Sequence, residues 1–409
     1  MTQKNFTTRS LNVPFPKDDP HHALQMPIYE SVAFEFDTAE DIAANFRGEL
    51  PAHVYSRTGN PTVEYFEHKL KALTGANQVL AVSSGMAAIS SAILTLCDGG
   101  DNIISGKNLF GHTYALFQQT LPPFGIETRF GNLNNIVELE KLIDDKTRVL
   151  YFETVTNPQL EVPNIDALAS LARKHNLVLM ADSTLTPPVV FNAKKHGIDL
   201  EVMSTTKFIS GGATAVGGAI IDYGTFDFKK NPKLAPFSEK LGKDVFYGRL
   251  KKNIFRNFGG CMTAHSAYFQ ILGLDILELR VEKCVSNCFK LAEFMEQHPK
   301  IKAVNYPSLK SSMSYLHSMK YFGHKPGAIM TFDLESEAAC FAFMNKLKII
   351  RRATNLNDNK TLIIHPYSTI YVEFTPEQRA EMDIRPTMMR LSVGIEGVED
   401  LIDDIEQAL

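Results

Sequence analysis

The sequence predicts an α/β fold: a mostly parallel sheet covered by helices on both faces, a smaller C-terminal α+β domain, and an N-terminal arm. Short, wholly apolar runs recur between Val79 and Thr205, and segments with helical periodicity lie between them. Apolar strands that alternate with helices are typical of a parallel sheet buried on both sides. The pattern changes after about Pro236, which predicts the second domain.

The elements follow in chain order. The first fifty residues are rich in proline and polar residues and show no sustained period, so we interpret residues 1–54 as an arm. The strands predicted for domain 55–245 are VLAV (79–82), NII (102–104), RVLYFET (148–154), LVLMADS (177–183) and DLEVMST (199–205), with helices over 135–144 and 165–175. The elements predicted for domain 246–409 are a long amphipathic helix over 275–297, strands over 328–334 and 389–393, and a last helix from Val398.

Composition excludes several classes of protein. The 409 residues carry 42 Lys+Arg against 46 Asp+Glu, a net charge of −4, so neither nucleic acid nor an anionic membrane is an expected partner. No apolar stretch reaches transmembrane length. The five cysteines are odd in number and scattered, which favours reduced thiols and a cytoplasmic location. Cys284 and Cys288 lie four apart on a predicted helix, where core packing is expected rather than metal binding.

Three polar features follow strands of the sheet, at the edge where parallel sheets bind ligands. After VLAV, Ser84 and Gly85 open a helix, which is either an anion site or ordinary turn punctuation. Asp182 lies near the end of the strand LVLMADS (177–183), where it is either an acid that requires a cationic partner or a turn residue. Lys207 follows the strand EVM, where it is either a lysine of lowered pKa suited to imine chemistry or a surface residue.

Together the three features meet the requirements of pyridoxal phosphate. A helix N-terminus holds the phosphate, a carboxylate keeps the pyridine nitrogen protonated, and an amine binds the aldehyde carbon. The protonated ring is the electron sink for chemistry next to an amino group. The joint occurrence is more specific than any one feature.

The chain resembles the cystathionine γ-synthase-like group of fold-type I pyridoxal-phosphate enzymes of cysteine and methionine metabolism. The resemblance extends from about Pro27 onward. It rests on these motifs, which occur in order: Tyr55-Ser56-Arg57-x-x-Asn60-Pro61-Thr62, Ser84-Gly85-Met86-Ala87-Ala88, Glu153-x-x-x-Asn157-Pro158, Ala181-Asp182-Ser183-Thr184, Ser204-x-Thr206-Lys207 and Arg390-Leu391-Ser392-Val393-Gly394-Ile395-Glu396.

The resemblance implies roles for the cofactor site. Lys207 matches the lysine that binds the cofactor covalently, and Asp182 matches the acid at the pyridine nitrogen. The residues that match the phosphate site are Gly85, Met86, Ser204 and Thr206. Phe110 matches the aromatic residue stacked on the ring, and Asn157 matches a residue near the 3′-oxygen of the cofactor.

The resemblance also implies roles for substrate and subunit contacts. Arg390 matches the clamp for the substrate α-carboxylate, with a structural salt bridge as the alternative, and Asn355 is a further substrate-binding candidate. Tyr55 and Arg57 match residues that reach the phosphate of the neighbouring subunit's cofactor, and Tyr55 is also a catalytic candidate. These matches imply a homo-oligomer, a dimer of dimers, with shared active sites.

Within the group, the stretch 354–366 resembles O-acetylhomoserine sulfhydrylases more than the lyases. The stretch 256–261 and Thr214 favour the same subgroup. The implied reaction is γ-replacement on O-acetyl-L-homoserine by sulfide or a thiol, giving homocysteine or methionine plus acetate. The alternatives are a methionine or homocysteine γ-lyase, a cystathionine γ-synthase or lyase, and a non-catalytic pyridoxal-phosphate-binding regulator. Phe110 stands where a tyrosine is usual, and the other departures from the family pattern are Ser183, Gly212, Tyr367 and Tyr371.

Overall fold

The computed structural model of the protein describes residues 5–15 and 19–409. Residues 1–4 and 16–18 of the predicted arm lie outside the described residues. The described strands are β1 (Gln78–Val82), β2 (Asn102–Gly106), β3 (Glu127–Gly131), β4 (Thr147–Glu153), β5 (Val178–Asp182), β6 (Leu200–Met203), β7 (Gly218–Asp222), β8 (Ala303–Asn305), β9 (Ile329–Asp333), β10 (Arg351–Arg352), β11 (Leu362–Ile364) and β12 (Met388–Ser392).

Helices connect and cover these strands. They are α1 (Phe6–Leu11), α2 (Ala39–Arg47), α3 (Pro61–Thr74), α4 (Gly85–Leu96), α5 (Gly111–Ala115), α6 (Ile136–Lys141), α7 (Ile165–His175), α8 (Ala235–Leu241), α9 (Val245–Arg249), α10 (Arg256–Phe258), α11 (Ala264–Asp275), α12 (Leu277–Glu296), α13 (Tyr315–Phe322), α14 (Glu337–Lys346), α15 (Pro376–Glu381) and α16 (Val398–Ala408). None of the helices in the described residues is both long and apolar enough to cross a membrane.

The first sheet has the strand order β1-β7-β6-β5-β4-β2-β3. Six of its strands run in one direction, and β7 runs antiparallel to its neighbours β1 and β6. Alternate residues of each central strand enter different cores: Leu179 and Ala181 pack on one face, and Val178 and Met180 on the other. The expectation of a mostly parallel sheet with helices on both faces is confirmed.

Two strands of this sheet, β3 and β7, have no apolar run long enough to predict them. β3 is an edge strand, and most of its residues (ETRFG) are only partly buried, so the sequence carries polar side chains there. β7 (GAIID) is fully buried, but its apolar run is short and is flanked by Gly218 and Asp222. A strand of this length and composition does not stand out from a loop.

The second sheet has the order β10-β11-β12-β9-β8, with β10 and β11 parallel and the remaining pairs antiparallel. Helix α12 covers it with an apolar stripe that includes Val281, Cys284, Cys288 and Leu291. Both cysteines are buried, as core packing requires. The chain returns through β12, which carries Arg390 to the edge of the first sheet.

Candidate active site

A cavity of about 470 Å³ lies at the carboxyl ends of β1, β4, β5 and β6, against β12 of the second sheet. It is lined by nine of the twelve predicted site residues: Gly85, Met86, Phe110, Asn157, Asp182, Ser204, Thr206, Lys207 and Arg390. Tyr55, Arg57 and Asn355 do not line it. The strand ends therefore bring together most of what the motifs predict.

The N-terminus of α4 forms one wall of the cavity. The Ser84 side chain caps the helix by accepting a hydrogen bond from the Ala87 N–H at 3.0 Å. A Cβ atom on Gly85 would lie 2.7 Å from the Ser204 Cβ, so only glycine lets the helix approach the turn after β6 this closely. The N-terminus of α4 therefore packs closely against Ser204, and both line the cavity, an arrangement that favours an anion such as phosphate.

Asp182 ends β5 inside the cavity. Its carboxylate accepts hydrogen bonds from the Thr184 N–H at 2.9 Å and the Tyr151 hydroxyl at 3.4 Å. Burial raises the pKa of Asp182 although these hydrogen bonds oppose the shift. Among the described residues no lysine, arginine or histidine nitrogen lies within ion-pair distance of this carboxylate. The predicted cationic partner is therefore not a side chain of residues 5–15 or 19–409, and a protonated pyridine nitrogen has the chemistry required.

Lys207 lies across the cavity in the turn after β6. Its ammonium group donates a hydrogen bond to the Asn355 Oδ1 at 2.8 Å. The pKa of Lys207 is lowered to about 8, mainly by burial and also by the nearby charge of Arg390, while Asp358 opposes the shift. A lysine with this pKa has an appreciable neutral fraction near neutral pH, as a nucleophilic amine requires.

Arg390 carries a buried guanidinium with no acidic partner among the described residues. Its nitrogens donate to the Asn157 Oδ1 at 3.1 Å and to the backbone oxygens of Thr354 and Asn355 at 3.1 and 3.3 Å. Its Nε is buried without a hydrogen-bond partner. Burial lowers its pKa to about 10. These contacts disfavour the structural salt bridge, because a carboxylate ligand would supply both the missing charge and the missing acceptor.

Phe110 is held in place by Glu153, which sequence reasoning quoted in a motif but gave no role. The Phe110 N–H donates to the Glu153 Oε1 at 2.7 Å, and Glu153 is the register partner of Asp182. Burial raises the pKa of Glu153 well above its usual range, and the charge of Asp182 adds to the shift. Tyr114, one turn after Phe110, is buried, stacks on Phe130 at 5.0 Å and does not line the cavity.

Three predicted residues lie outside the cavity lining. The Asn355 side chain is directed at Lys207 and at Asp358. Tyr55 is 43% exposed. The Arg57 guanidinium lies 5.4 Å from the Tyr55 ring centroid and donates to the Arg256 backbone oxygen at 2.6 Å. Across the described part of the chain, no group of three or more His, Cys, Asp or Glu is placed to bind a metal.

A family model described as Cys/Met metabolism PLP-dependent enzyme matches residues 7–409. The chain belongs to this family. As a member it is an enzyme that uses pyridoxal phosphate, and its residues fit that cofactor. The N-terminus of α4 at Gly85 suits the phosphate. Asp182, which has no cationic partner among the described residues, suits the pyridine nitrogen, and the Lys207 amine suits the aldehyde carbon.

Two curated relatives of this Cys/Met family member span nearly the whole chain. The O-acetyl-L-homoserine sulfhydrylase 1 of Thermus thermophilus is 35% identical over 99% of this chain and 99% of its own length. The L-methionine γ-lyase of Pseudomonas putida is 32% identical over 99% of this chain and 97% of its own length. Overall identity to these relatives therefore does not separate replacement from elimination.

Solved structures extend the comparison. A structure described as O-acetylhomoserine sulfhydrylase of Wolinella succinogenes is 46% identical, with a TM-score of 0.78 over 87% of this chain and 99% of that chain. A Campylobacter jejuni structure described as a candidate O-acetylhomoserine (thiol)-lyase is 32% identical, with a TM-score of 0.93 over 99% of both chains. The latter carries a pyridoxyl-lysine monophosphate.

Proposed function

We propose that the chain catalyses γ-replacement on O-acetyl-L-homoserine. Sulfide or a thiol takes the place of the acetyl ester oxygen at Cγ, giving homocysteine or methionine, and the ester oxygen leaves with the acetyl group as acetate. The sulfhydrylase from Wolinella succinogenes, at 46% identity, supports this reading.

The observation that carries the proposal is Phe110 in the wall of the cavity. Phenylalanine cannot donate a proton, and the residues that line the cavity in the described subunit include no tyrosine. A departing thiolate benefits from a proton donor, whereas acetate is a much weaker base and leaves without one. The absence of a tyrosine phenol from the described lining therefore favours an ester over methionine or cystathionine as the substrate.

The side chains that line the cavity have separate roles in this reaction. Arg390, which lines the cavity and whose buried Nε has no hydrogen-bond partner, binds the substrate α-carboxylate. Lys207 takes the proton from Cα and returns protons to the carbon chain, for which a pKa of about 8 is suitable. Pyridoxal phosphate, when bound, supplies the electron sink for this proton transfer. Asp182 holds the ring nitrogen, and α4 with Ser204 and Thr206 holds the phosphate.

The test is a substrate panel with purified protein and added pyridoxal phosphate. O-acetylhomoserine, O-succinylhomoserine, methionine, homocysteine and cystathionine are each supplied with and without sulfide, and the products are identified by mass spectrometry. We expect homocysteine from O-acetylhomoserine plus sulfide as the most efficient reaction.

Two outcomes would contradict the proposal. If methionine is cleaved to a 2-oxo acid, ammonia and a thiol with kcat/KM equal to or above that of sulfhydrylation, the enzyme is a γ-lyase. If the protein binds the cofactor but turns over none of the five compounds, the regulator alternative takes its place.

We further propose the assembly, location and domain limits that the sequence analysis predicts. Exposed apolar side chains of the arm, such as Leu24 and Phe46, support a homo-oligomer in which residues 1–54 contact a second copy. The five free cysteines support a cytoplasmic location, testable by cell fractionation. The domains are 55–245 around the first sheet and 246–409 around the second, which limited proteolysis tests.

A further inference from the structure

A hydrogen-bonded chain of polar groups, which ends at the buried Asp358, lies behind Lys207. The Lys207 Nζ donates to the Asn355 Oδ1 at 2.8 Å, and the Asn355 Nδ2 donates to the Asp358 Oδ2 at 2.9 Å. Asp358 is 3% exposed. The three side chains form a continuous hydrogen-bonded line from the second domain to the amine of the active site.

The chemistry of this line fixes the orientation of the Asn355 amide. A carboxylate only accepts hydrogen bonds, so the NH₂ group of Asn355 must face Asp358 and its carbonyl oxygen must face Lys207. A carbonyl oxygen accepts an N–H from lysine in either protonation state but cannot donate to its lone pair. When Lys207 is neutral, its lone pair is therefore directed away from Asn355.

Asp358 is itself held rigidly. The Asn357 N–H donates to the Ser392 hydroxyl at 2.7 Å, and the Asn359 N–H donates to the Gly211 backbone oxygen at 2.9 Å. The Asp358 carboxylate also accepts from the Lys360 N–H at 3.1 Å. Asp358 is thus anchored on both sides to elements that frame the cavity.

The charges around this line are few. Arg390 lies near Lys207 and disfavours its charged form, and Asp358 favours it. The Lys360 ammonium lies 3.7 Å from Asp358, and the buried Arg280 of α12 lies near enough to feel its charge. The Cys284 thiol contacts the backbone oxygen of Asp358.

We propose that Asp358, acting through the Asn355 amide, is a positioning residue that directs the Lys207 amine into the cavity. The inference rests on the proposed role of Lys207 as the cofactor-binding amine. It deepens that role, because an amine with its lone pair aimed at the cavity is prepared both to attack the cofactor aldehyde and to take a proton from substrate.

The test uses the full chain freed of cofactor and has two readouts. One is the pKa of Lys207, from NMR titration of protein with ¹³C-labelled lysine, with the signal assigned by its loss in Lys207→Ala. The other is the rate at which Lys207 forms a C=N bond with added pyridoxal phosphate, releasing one water, followed by absorbance and corrected for the neutral fraction of the amine.

We expect Asp358→Asn to lower the Lys207 pKa by about one unit, because a nearby negative charge is removed. The corrected attachment rate should fall about 10-fold, since the freed amide can turn its NH₂ group toward the lone pair. Asn355→Leu, of similar size, should slow attachment by a similar factor. Asp403→Asn, at an exposed site on α16, is the matched control and should match wild type in both readouts.

Wild-type attachment rates in both Asp358→Asn and Asn355→Leu would overturn the inference. If Asp358→Asn fails to fold, judged by circular dichroism, Asn355→Leu decides alone. Failure of the proposed function would give a different result. Wild-type protein would then show no sulfhydrylation in the substrate panel, while Asp358→Asn would still change the Lys207 pKa and attachment rate.

Discussion

Among single residues, Lys207 is the side chain on which the proposed chemistry depends. It is the one lysine lining the cavity in the described subunit, and burial gives it a pKa of about 8. We predict that Lys207→Ala lowers turnover by at least about 10³-fold, because the variant has no amine to bind the cofactor or to move a proton. Borohydride reduction followed by mass spectrometry of wild-type peptides should find the pyridoxyl group on Lys207. A pyridoxyl group on a different lysine would show that the assignment is wrong.

Phe110 carries the second prediction at this scale. Its ring lines the cavity and its N–H is fixed by Glu153, so a hydroxyl added to the ring is held in the site. We predict that Phe110→Tyr raises kcat/KM for methionine cleavage by about 10²-fold or more, the effect typical of a placed proton donor, and changes sulfhydrylation little. Phe124→Tyr, at an exposed position, is the control.

An equal effect of Phe110→Tyr on both reactions would contradict the leaving-group argument. Tyr114 does not take the place of the missing phenol, because its ring packs against Phe130 and Phe374 and does not line the cavity. Tyr55 of a neighbouring subunit remains the alternative donor, and Tyr55→Phe in the wild-type background separates it from Phe110.

Among the elements, the join between β1 and α4 forms the proposed phosphate site, the cradle of Gly85, Met86, Ser204 and Thr206. A Cβ on Gly85 would lie 2.7 Å from the Ser204 Cβ and 3.0 Å from its Cα, so Gly85→Ala must push α4 away from the turn after β6. We predict a loss of about 1–3 kcal/mol in stability, typical of overpacking, with weaker pyridoxal-phosphate binding. Thermal denaturation without cofactor and equilibrium titration with it measure the two effects.

Gly260→Ala is the matched control for this element. Gly260 lies beside the same join, but its added Cβ would meet its nearest atom at 3.7 Å, an ordinary contact. We expect the control to bind cofactor as wild type does. If the two variants bind equally well, the approach of α4 to Ser204 is not what forms the cradle.

The same elements show how far the sequence predicts the site. The apolar strands β1, β4, β5 and β6 are evident in the sequence, so the residues that follow them, such as Asp182 and Lys207, could be placed on one edge of the sheet. Partners contributed by distant loops could not be placed. The contact of Lys207 with Asn355 depends on how the second sheet packs against the first, and the contact of Phe110 with Glu153 joins a loop to a strand 43 residues away in the chain; no local pattern encodes either.

In the whole molecule, the first and second sheets both contribute side chains to one cavity. The first sheet supplies Asp182 and Lys207, and β12 of the second sheet supplies Arg390. The Tyr371 hydroxyl, fully buried, lies 3.0 Å from the backbone oxygens of both Leu109 and Asn157 and so ties the C-terminal segment to the loops of the first sheet. In the sequence, Tyr371 stands out only as a departure from the family pattern. The structure gives it this packing role.

The described residues of the arm, and Tyr55 and Arg57 just after it, do not line this cavity. Helix α2 has no buried residue, Phe46 on it is 76% exposed, and Tyr55 and Arg57 lie outside the cavity lining. An exposed guanidinium beside an exposed aromatic ring suits a contact with a phosphate held by another copy of the chain. The proposed oligomer would bring the arm of one subunit to the cavity of the next.

The proposed sharing of active sites between subunits predicts how much activity returns when two inactive variants are mixed. Arg57→Ala and Lys207→Ala should each be nearly inactive alone, but a hybrid dimer places both lesions in one site and leaves the other intact. When equal amounts mix at random, half of the dimers are hybrids and each hybrid has one intact site of two, so roughly a quarter of wild-type activity should return.

The matched control mixes Lys207→Ala with Asp182→Asn. Because those two side chains belong to the same subunit's cavity, every site in the hybrid keeps a lesion and no activity should return. Hybrids verified by native mass spectrometry that recover nothing in the first mixture would show that each subunit completes its own site.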